Sequence, residues 1–484
     1  MVFSNIGLIL FIPVALLWFY LLKSNDLQNL VIILVSSSLF IASGPVNFIV
    51  FCCSVLIALC YFWLPPRFRL GPTAAIAAIV AVISNLIVFK YSASLFPHDF
   101  VVNTALRGAG IVIPLGISFY TFHIVGAIVD LREPGAEEVF STRRFVLFCL
   151  FFPQLVAGPI VRYRWLSYQF DTRKRATLHN FAVGAHFFAL GLFKKVFIAD
   201  QVARIVDPVF AHPGDYGTLS IMAASLGFYT QVYADFSGYT DMARGIARLF
   251  GFRLPLNFRA PYLTASPVEF WSRWHISLST WVRDYLYIPM AAKAARSIRD
   301  RNRRALAIFC IIMFVMVVLG VWHGAAWRFV AFGAFHGLLI VVWRSATGGR
   351  QPRTTAALVA SIVVMQLSLV LSFVVFRAAD FWSTAELYRG LFVWRGGVEG
   401  MSQALLVAGA TLLIFLMQAI DWNIGARGVR RVFYWLHSGA AGRLVLTALL
   451  LMVITGKVIY ASDAVAIAGV SLHAPRVQFI YFDF

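Results

Sequence analysis

The stretch "ALAIFCIIMFVMVVLGVW" occupies residues 305–322 and carries no charge. A helix rises 1.5 Å per residue, so roughly 20 such residues cross the hydrocarbon of a bilayer. "KAARSIRDRNRR" precedes it at 293–304, with one Lys and five Arg against Asp300, and His323 follows it directly. Basic residues at one end and an apolar run behind them read as a transmembrane helix. The same reading extends along the chain to 6–22, 28–43, 46–63, 73–91, 110–129, 179–198, 218–234, 324–342, 356–376, 403–420 and 444–462. The stretch at 6–22 has no basic lead and no small-residue cleavage site, so it reads as a first span. Of the 484 residues, 60% are hydrophobic and 13% charged, and mean hydropathy is +0.80. Soluble domains sit nearer ~45–50% apolar and ~25% charged. The expected class is an all-α polytopic integral membrane protein of about 11–12 transmembrane helices with re-entrant and interfacial helices. Residues 1–484 read as a single membrane-embedded domain, with no repeat or soluble module.

The net charge is +20. In a soluble chain that excess would suggest a nucleic-acid partner; here it sits in short loops. "PPRFRLGP" at 65–72, "RYRWLSYQFDTRKR" at 162–175, residues 293–304, residues 344–353 and "RGVRR" at 427–431 are all basic. Twelve spans and one re-entrant hairpin put all five on one side, with Asp200, Asp207 and Asp215 on the other. The positive-inside rule makes the basic side cytoplasmic, the termini extracytoplasmic and nucleic acid no partner. The hairpin is 145–161, "FVLFCLFFPQLVAGPIV", which Pro153 and Gly158-Pro159 break. Broken helices at membrane depth need shielding by protein or a wet cavity. Residues 255–290, rich in Trp and Arg, read as an interfacial amphipathic helix or a partly buried cytoplasmic segment. The five cysteines lie in apolar runs without metal-ligand spacing, and no metal site is expected.

Ionisable residues inside a membrane are expensive and point to function. His323, in "VVLGVWHGAAW", ends the apolar stretch between Trp322 and Gly324. A neutral imidazole with a glycine beside it admits a reacting group closely and is a ready general base. A second reading makes it a histidine bonded to a neighbouring helix. His275, in "VEFWSRWHISLSTWVRDYLYIP", lies beside Trp274 and ahead of Ser277, Ser279 and Thr280. Arg273 there suits a phosphate or carboxylate, and Arg283 can pair with Asp284. The other reading of this stretch is anchoring by Trp and Arg at the interface. His336, His123, Asp235 and Asp241 are apolar-flanked as well, and Glu269 is a partner for a nearby arginine. No phosphate-binding glycine loop or dinucleotide fingerprint occurs.

Taken together, "FWSRWHISLSTWVRDYLYIP" and "GVWHGAAW" resemble the membrane-bound O-acyltransferase family, in the bacterial branch that O-acetylates polysaccharides. "IPLGISFYTFH", "PQLVAGPI", "YADFSGYTDMARGIARLFGF" and "NFRAPY" follow the branch in the same order. The likeness is strongest over 80–345. It implies the family's fold, an acyl transfer to a hydroxyl, the catalytic histidine at His323 and the second characteristic histidine at His275. Trp274, Arg273, Trp322 and Asp235 become the candidates for holding substrate. Ala291-Ala292 stand where relatives often carry a glycine pair.

The resemblance also gives a role to the aromatic C-terminal tail, residues 463–484, which ends "VQFIYFDF". It implies that Tyr481 carries the acyl group, with Phe479, Phe482 and Phe484 holding the tail in an apolar groove. An anchoring tail is the plainer reading. The expected enzyme takes an acyl thioester, acetyl-CoA or an acyl carrier, as donor substrate, with no bound cofactor. Its partners are membrane lipid, a periplasmic acetyltransferase protein and, as final acceptor, an extracytoplasmic polysaccharide such as alginate. Its place is the bacterial inner membrane. D-alanyl transfer to teichoic acid, a glycolipid transporter and a non-catalytic scaffold are the rival readings.

Overall fold

A computed structural model describes residues 6–69, 71–91, 114–132, 139–155, 158–396, 400–423 and 452. All regular elements among them are helical. The longer ones are α1 (Ile6–Leu21), α2 (Asn25–Ala42), α3 (Pro45–Phe62), α4 (Pro72–Leu86), α5 (Ile117–Asp130), α6 (Thr142–Leu150), α7 (Leu178–Phe193), α8 (Asp200–Ala211) and α9 (Thr218–Leu249). They continue with α10 (Pro267–Arg273), α11 (Ile276–Val282), α12 (Ile288–Ser297), α13 (Arg301–His323), α14 (Trp327–Thr347), α15 (Thr355–Arg377), α16 (Phe381–Phe392) and α17 (Met401–Asn423).

Among the described residues, eight helices are long and apolar enough to cross a membrane: 25–42, 45–62, 72–91, 178–211, 301–323, 327–347, 355–377 and 401–420. Each matches an expected span. α1 and α5 are shorter apolar helices, and the expected span at 218–234 is the first part of the 32-residue α9. The expected span at 444–462 lies outside the described residues, as does Tyr481. This is an all-α, multi-pass membrane protein.

The chain divides into two compact units, one of Met1–Gly184 with Ala243–Pro255 and one of Ala185–Met242 with Leu256–Phe484. In the first, rings form the core. Phe19 meets Phe250 edge-on at 5.2 Å, and Phe252 packs on Phe151 at 4.9 Å and on Phe170 at 5.1 Å. Buried amides then satisfy loop backbone. Gln28 Oε1 accepts from Lys174 N (2.8 Å) while its Nε2 donates to Lys174 O (3.0 Å), and Gln169 treats Arg253 the same way.

The broken stretch 145–161 lies in this unit. α6 stops at Leu150, Phe151 is extended, and Phe152–Leu155 makes one further turn. Protein shields the break, since Phe151 and Gln154 are 0% exposed and Gln154 Nε2 donates to Phe148 O at 2.6 Å. Only glycine fits at 158, where a Cβ would stand 2.7 Å from Pro153 O. His123 closes the arrangement: its Nε2 accepts from Val161 N at 3.0 Å.

In the second unit, glycine sets helix spacing. Gly191 and Gly238 face each other where α7 meets α9, and a Cβ on Gly238 would lie 2.7 Å from Gly191 O. α13 and α14 form a tight hairpin the same way, with a Cβ on Gly320 coming 3.1 Å from the Cα of Gly333. Buried charges are paired beside the first contact. Lys194 Nζ lies 2.7 Å from Asp241, and Lys195 Nζ lies 2.8 Å from both Asp235 and Asp200.

Candidate functional site

The site is built within the second unit, at the end of the α13–α14 hairpin. α13 is 23 residues long, hence about 34 Å. Its basic start is Arg301 and its last residue is His323. The chain turns through Gly324, where a Cβ would meet the Phe329 ring at 2.5 Å, and α14 begins at Trp327. His323 is 7% exposed. Its imidazole is boxed by rings, with Trp322 at 4.7 Å, Phe376 edge-on at 4.9 Å and Phe329 at 6.2 Å.

His275 reaches the same place from a different element. The segment 255–290 does not lie along an interface at its centre: Trp274 is 6% and His275 1% exposed. His275 is the residue before α11 and adopts φ +43°, ψ 52°. Among the described residues only it and Ala260 are left-handed without being glycine. Such a conformation costs energy and persists where surroundings impose it. Asn257 bonds the two residues that follow His275. Its backbone carbonyl accepts from Ile276 N (2.9 Å), and its Oδ1 accepts from Ser277 N (3.1 Å) and Ser277 Oγ (2.8 Å). The His275 ring lies 4.6 Å from Phe236 and 6.0 Å from Trp322. Burial pushes this imidazole down to about 3, so it is neutral under ordinary conditions.

His275 and His323 line one cavity of about 20 Å³. That is room for a single water-sized group. Its walls include Trp274, Trp271, Phe332 and Phe373. A second cavity, about 270 Å³, adjoins it and shares Trp271 and Leu319 as lining. The larger one is apolar within, with Val315, Met316 and Ile340 among its walls, and carries Arg283 and Arg344. Arg344 lies in the last turn of α14, the end of the hairpin that adjoins the basic start of α13.

The expected site residues divide accordingly. The structure brings His323, His275, Trp274 and Trp322 together. Arg273 does not line the cavity and instead pairs with Glu269 at 2.5 Å. Arg283 pairs with Asp284 at 2.8 Å. Asp235 is held by Lys195, although its neighbour Phe236 packs on the His275 ring at a tilt of 31°. Trp271, Phe332, Phe373 and Phe376 were not singled out from sequence, where nothing separates them from other aromatic residues of apolar runs. Among the described residues no group of His, Cys, Asp and Glu could hold a metal ion.

The structure thus places a ring-lined pair of histidines at the turn of an apolar helical hairpin, with an apolar cavity beside it. The chain belongs to the membrane-bound O-acyltransferase family, whose profile matches residues 133–378. It is 33% identical to the probable alginate O-acetylase AlgI of Pseudomonas aeruginosa, over 86% of this chain and 81% of that protein. It is 31% identical to the peptidoglycan O-acetyltransferase of Helicobacter pylori, over 68% of this chain and 65% of that one. It is also 32% identical to the teichoic acid D-alanyltransferase of Bacillus subtilis, over 47% of this chain and 58% of that one. The protein is an O-acyltransferase.

Proposed function

We propose that the enzyme moves acetyl groups from a cytoplasmic acyl thioester across the inner membrane for O-acetylation of an extracytoplasmic polysaccharide such as alginate. The observation that carries this reading is the junction of the two cavities. An apolar chamber bearing Arg283 and Arg344 adjoins a small chamber lined by His275 and His323. An acyl thioester has an apolar reactive end and an anionic distal end, whether that end belongs to coenzyme A or to a carrier protein. The arginines suit the anion and the apolar walls suit the arm. The AlgI relative, similar over most of both chains, supports acetyl as the group and a polysaccharide as the destination.

In this mechanism His323 is the general base. It takes the phenol proton of Tyr481, and the phenolate oxygen attacks the thioester carbonyl carbon. The C–S bond breaks, the thiolate takes up the proton from His323, and an aryl ester remains on the tail. A phenol of pKa ~10 leaves more easily than a sugar alcohol, so onward transfer to a glycan hydroxyl is downhill. A periplasmic acetyltransferase is the partner for that second step. His275, neutral and next to the residues that Asn257 bonds, orients the acyl group at the small chamber. Trp274 confines it, Trp322 backs the two imidazoles, and Asp235 holds the Phe236 helix against His275 through Lys195.

The test is the mass of the C-terminal peptide, residues 477–484, from protein purified without base. An acetyl adduct on Tyr481 that is absent in His323→Ala supports the relay and the base. An alanyl adduct moves the chain to the teichoic-acid reading. An unmodified tail, with Tyr481→Phe still supporting glycan acetylation, removes the relay and leaves direct transfer.

A further inference from the structure

The two cavities share lining from two side chains, one of them an indole. Trp271, on α10, lines both, with Leu319 beside it. It packs against the apolar cluster of Ile312, Met316 and Ile340. Behind it stands His336 of α14, 0% exposed, whose ring meets Trp271 edge-on at 5.2 Å and 80°. His336 Nε2 lies 3.2 Å from Ser372 Oγ. Ser372 spends its hydroxyl proton on Leu369 O at 2.8 Å, so the proton in the first contact belongs to Nε2. Nδ1 is therefore a bare acceptor. Among the described residues it has no donor, and the buried Trp271 indole N–H has no acceptor. A buried donor and a buried acceptor stand in adjoining rings, unjoined, where each is costly to leave unmet.

We propose that Trp271 is a door between the two cavities and that His336 is its latch. In the form described here the indole forms part of the wall of each. In the open form it turns so that its N–H donates to His336 Nδ1, which satisfies both atoms and joins the chambers. Elsewhere Trp271 packs edge-on against Phe270 and against the aliphatic side chains of the cluster. The device admits a thioester to the histidines and keeps bulk water from them between turnovers, as gates of this kind do. This inference rests on the acyl-transfer reading above.

The test uses the full chain in lipid nanodiscs, with acetyl-CoA or an acetylated carrier protein as donor, and follows thiol release and acetyl transfer. Trp271→Phe keeps a ring and removes the N–H. His336→Gln keeps a donor for Ser372 and removes the Nδ1 acceptor. Each is expected to lower kcat about tenfold with little change in KM for the donor, and the double variant is expected to be no slower than either. Trp271→Ala removes the door. It is expected to restore kcat in a His336→Gln background and to raise hydrolysis of the thioester to free acetate and thiol severalfold. Additive losses, or a His336→Gln defect that Trp271→Ala does not relieve, overturn the latch. Wild-type protein that releases no thiol from either donor overturns the acyl-transfer reading and this inference with it. Normal wild-type turnover with His336→Gln equal to it overturns this inference alone.

Discussion

His123 and His275 are buried to the same degree, 1% exposed each, one in each compact unit, and they do opposite things. His123 sits inside the regular turns of α5 and accepts a backbone N–H from Val161, tying the broken stretch 145–161 to the helix. Its ring packs edge-on against Phe148. His275 stands outside regular helix, in a left-handed conformation just before the residues that Asn257 bonds, and faces a cavity. Equal burial therefore accompanies two different settings, a histidine bonded into the fold and a histidine at positive φ on a cavity wall.

The sharpest way to break this contrast is at His323, which shares the cavity. His323→Ala should lower acyl transfer by about 10³-fold, within the range for loss of a general base. Thermal stability in detergent should change little, because rings on three sides can relax into the space. Transfer that survives at more than a tenth of wild type would strip the cavity of its significance.

Lys195 tests the other half of the contrast, that paired buried polar groups serve the fold. Lys195→Ala removes the cation shared by buried Asp235 and partly exposed Asp200. Breaking such a group typically costs about 3–5 kcal/mol. The expected result is a large drop in melting temperature or in the yield of folded protein. Lys195→Arg should recover much of it. A fully stable Lys195→Ala with lost activity would move the triad from the fold to the site.

His123→Ala should cost about 1–3 kcal/mol, the penalty for leaving the buried Val161 N–H without its acceptor. Activity per folded molecule should stay within about twofold of wild type. His275→Ala should do the reverse, with activity falling further than stability. Equal behaviour of the two variants, measured by melting and by turnover side by side, would erase the comparison.

How much of this was legible in the sequence follows from the range of each interaction. Membrane spans are local in sequence, and the eight found at 25–42 through 401–420 coincide with apolar runs that carry few charges. His323 and His275 are legible because each stands in a run of distinctive neighbours, "GVWHGAAW" and "RWHIS". Their convergence on one cavity is not, since 48 residues separate them along the chain. The same holds for Arg273, whose charge suggests a ligand until Glu269 is seen beside it. His123 and His336 look alike in sequence, each an imidazole among aromatic residues, and what tells them apart is the partner of Nε2, the Val161 N–H for one and Ser372 Oγ for the other.

The smallest expected effect is at Asn257, and it separates strain from burial. Asn257→Ala removes the acceptor for Ser277 N and Oγ while leaving the backbone bond to Ile276 in place. The loss should be about 1–2 kcal/mol, since two neutral hydrogen bonds vanish and Ser277 is left to find other partners. The left-handed turn should then relax toward ordinary helix, the cheaper conformation for a histidine. His275 would leave the cavity wall, and turnover should fall about tenfold with the ring itself intact. Adding His275→Ala to Asn257→Ala should then cost little more activity, because the ring has already left. If instead the two losses add, Asn257 acts on stability alone and the geometry of His275 is held by its packing on Phe236.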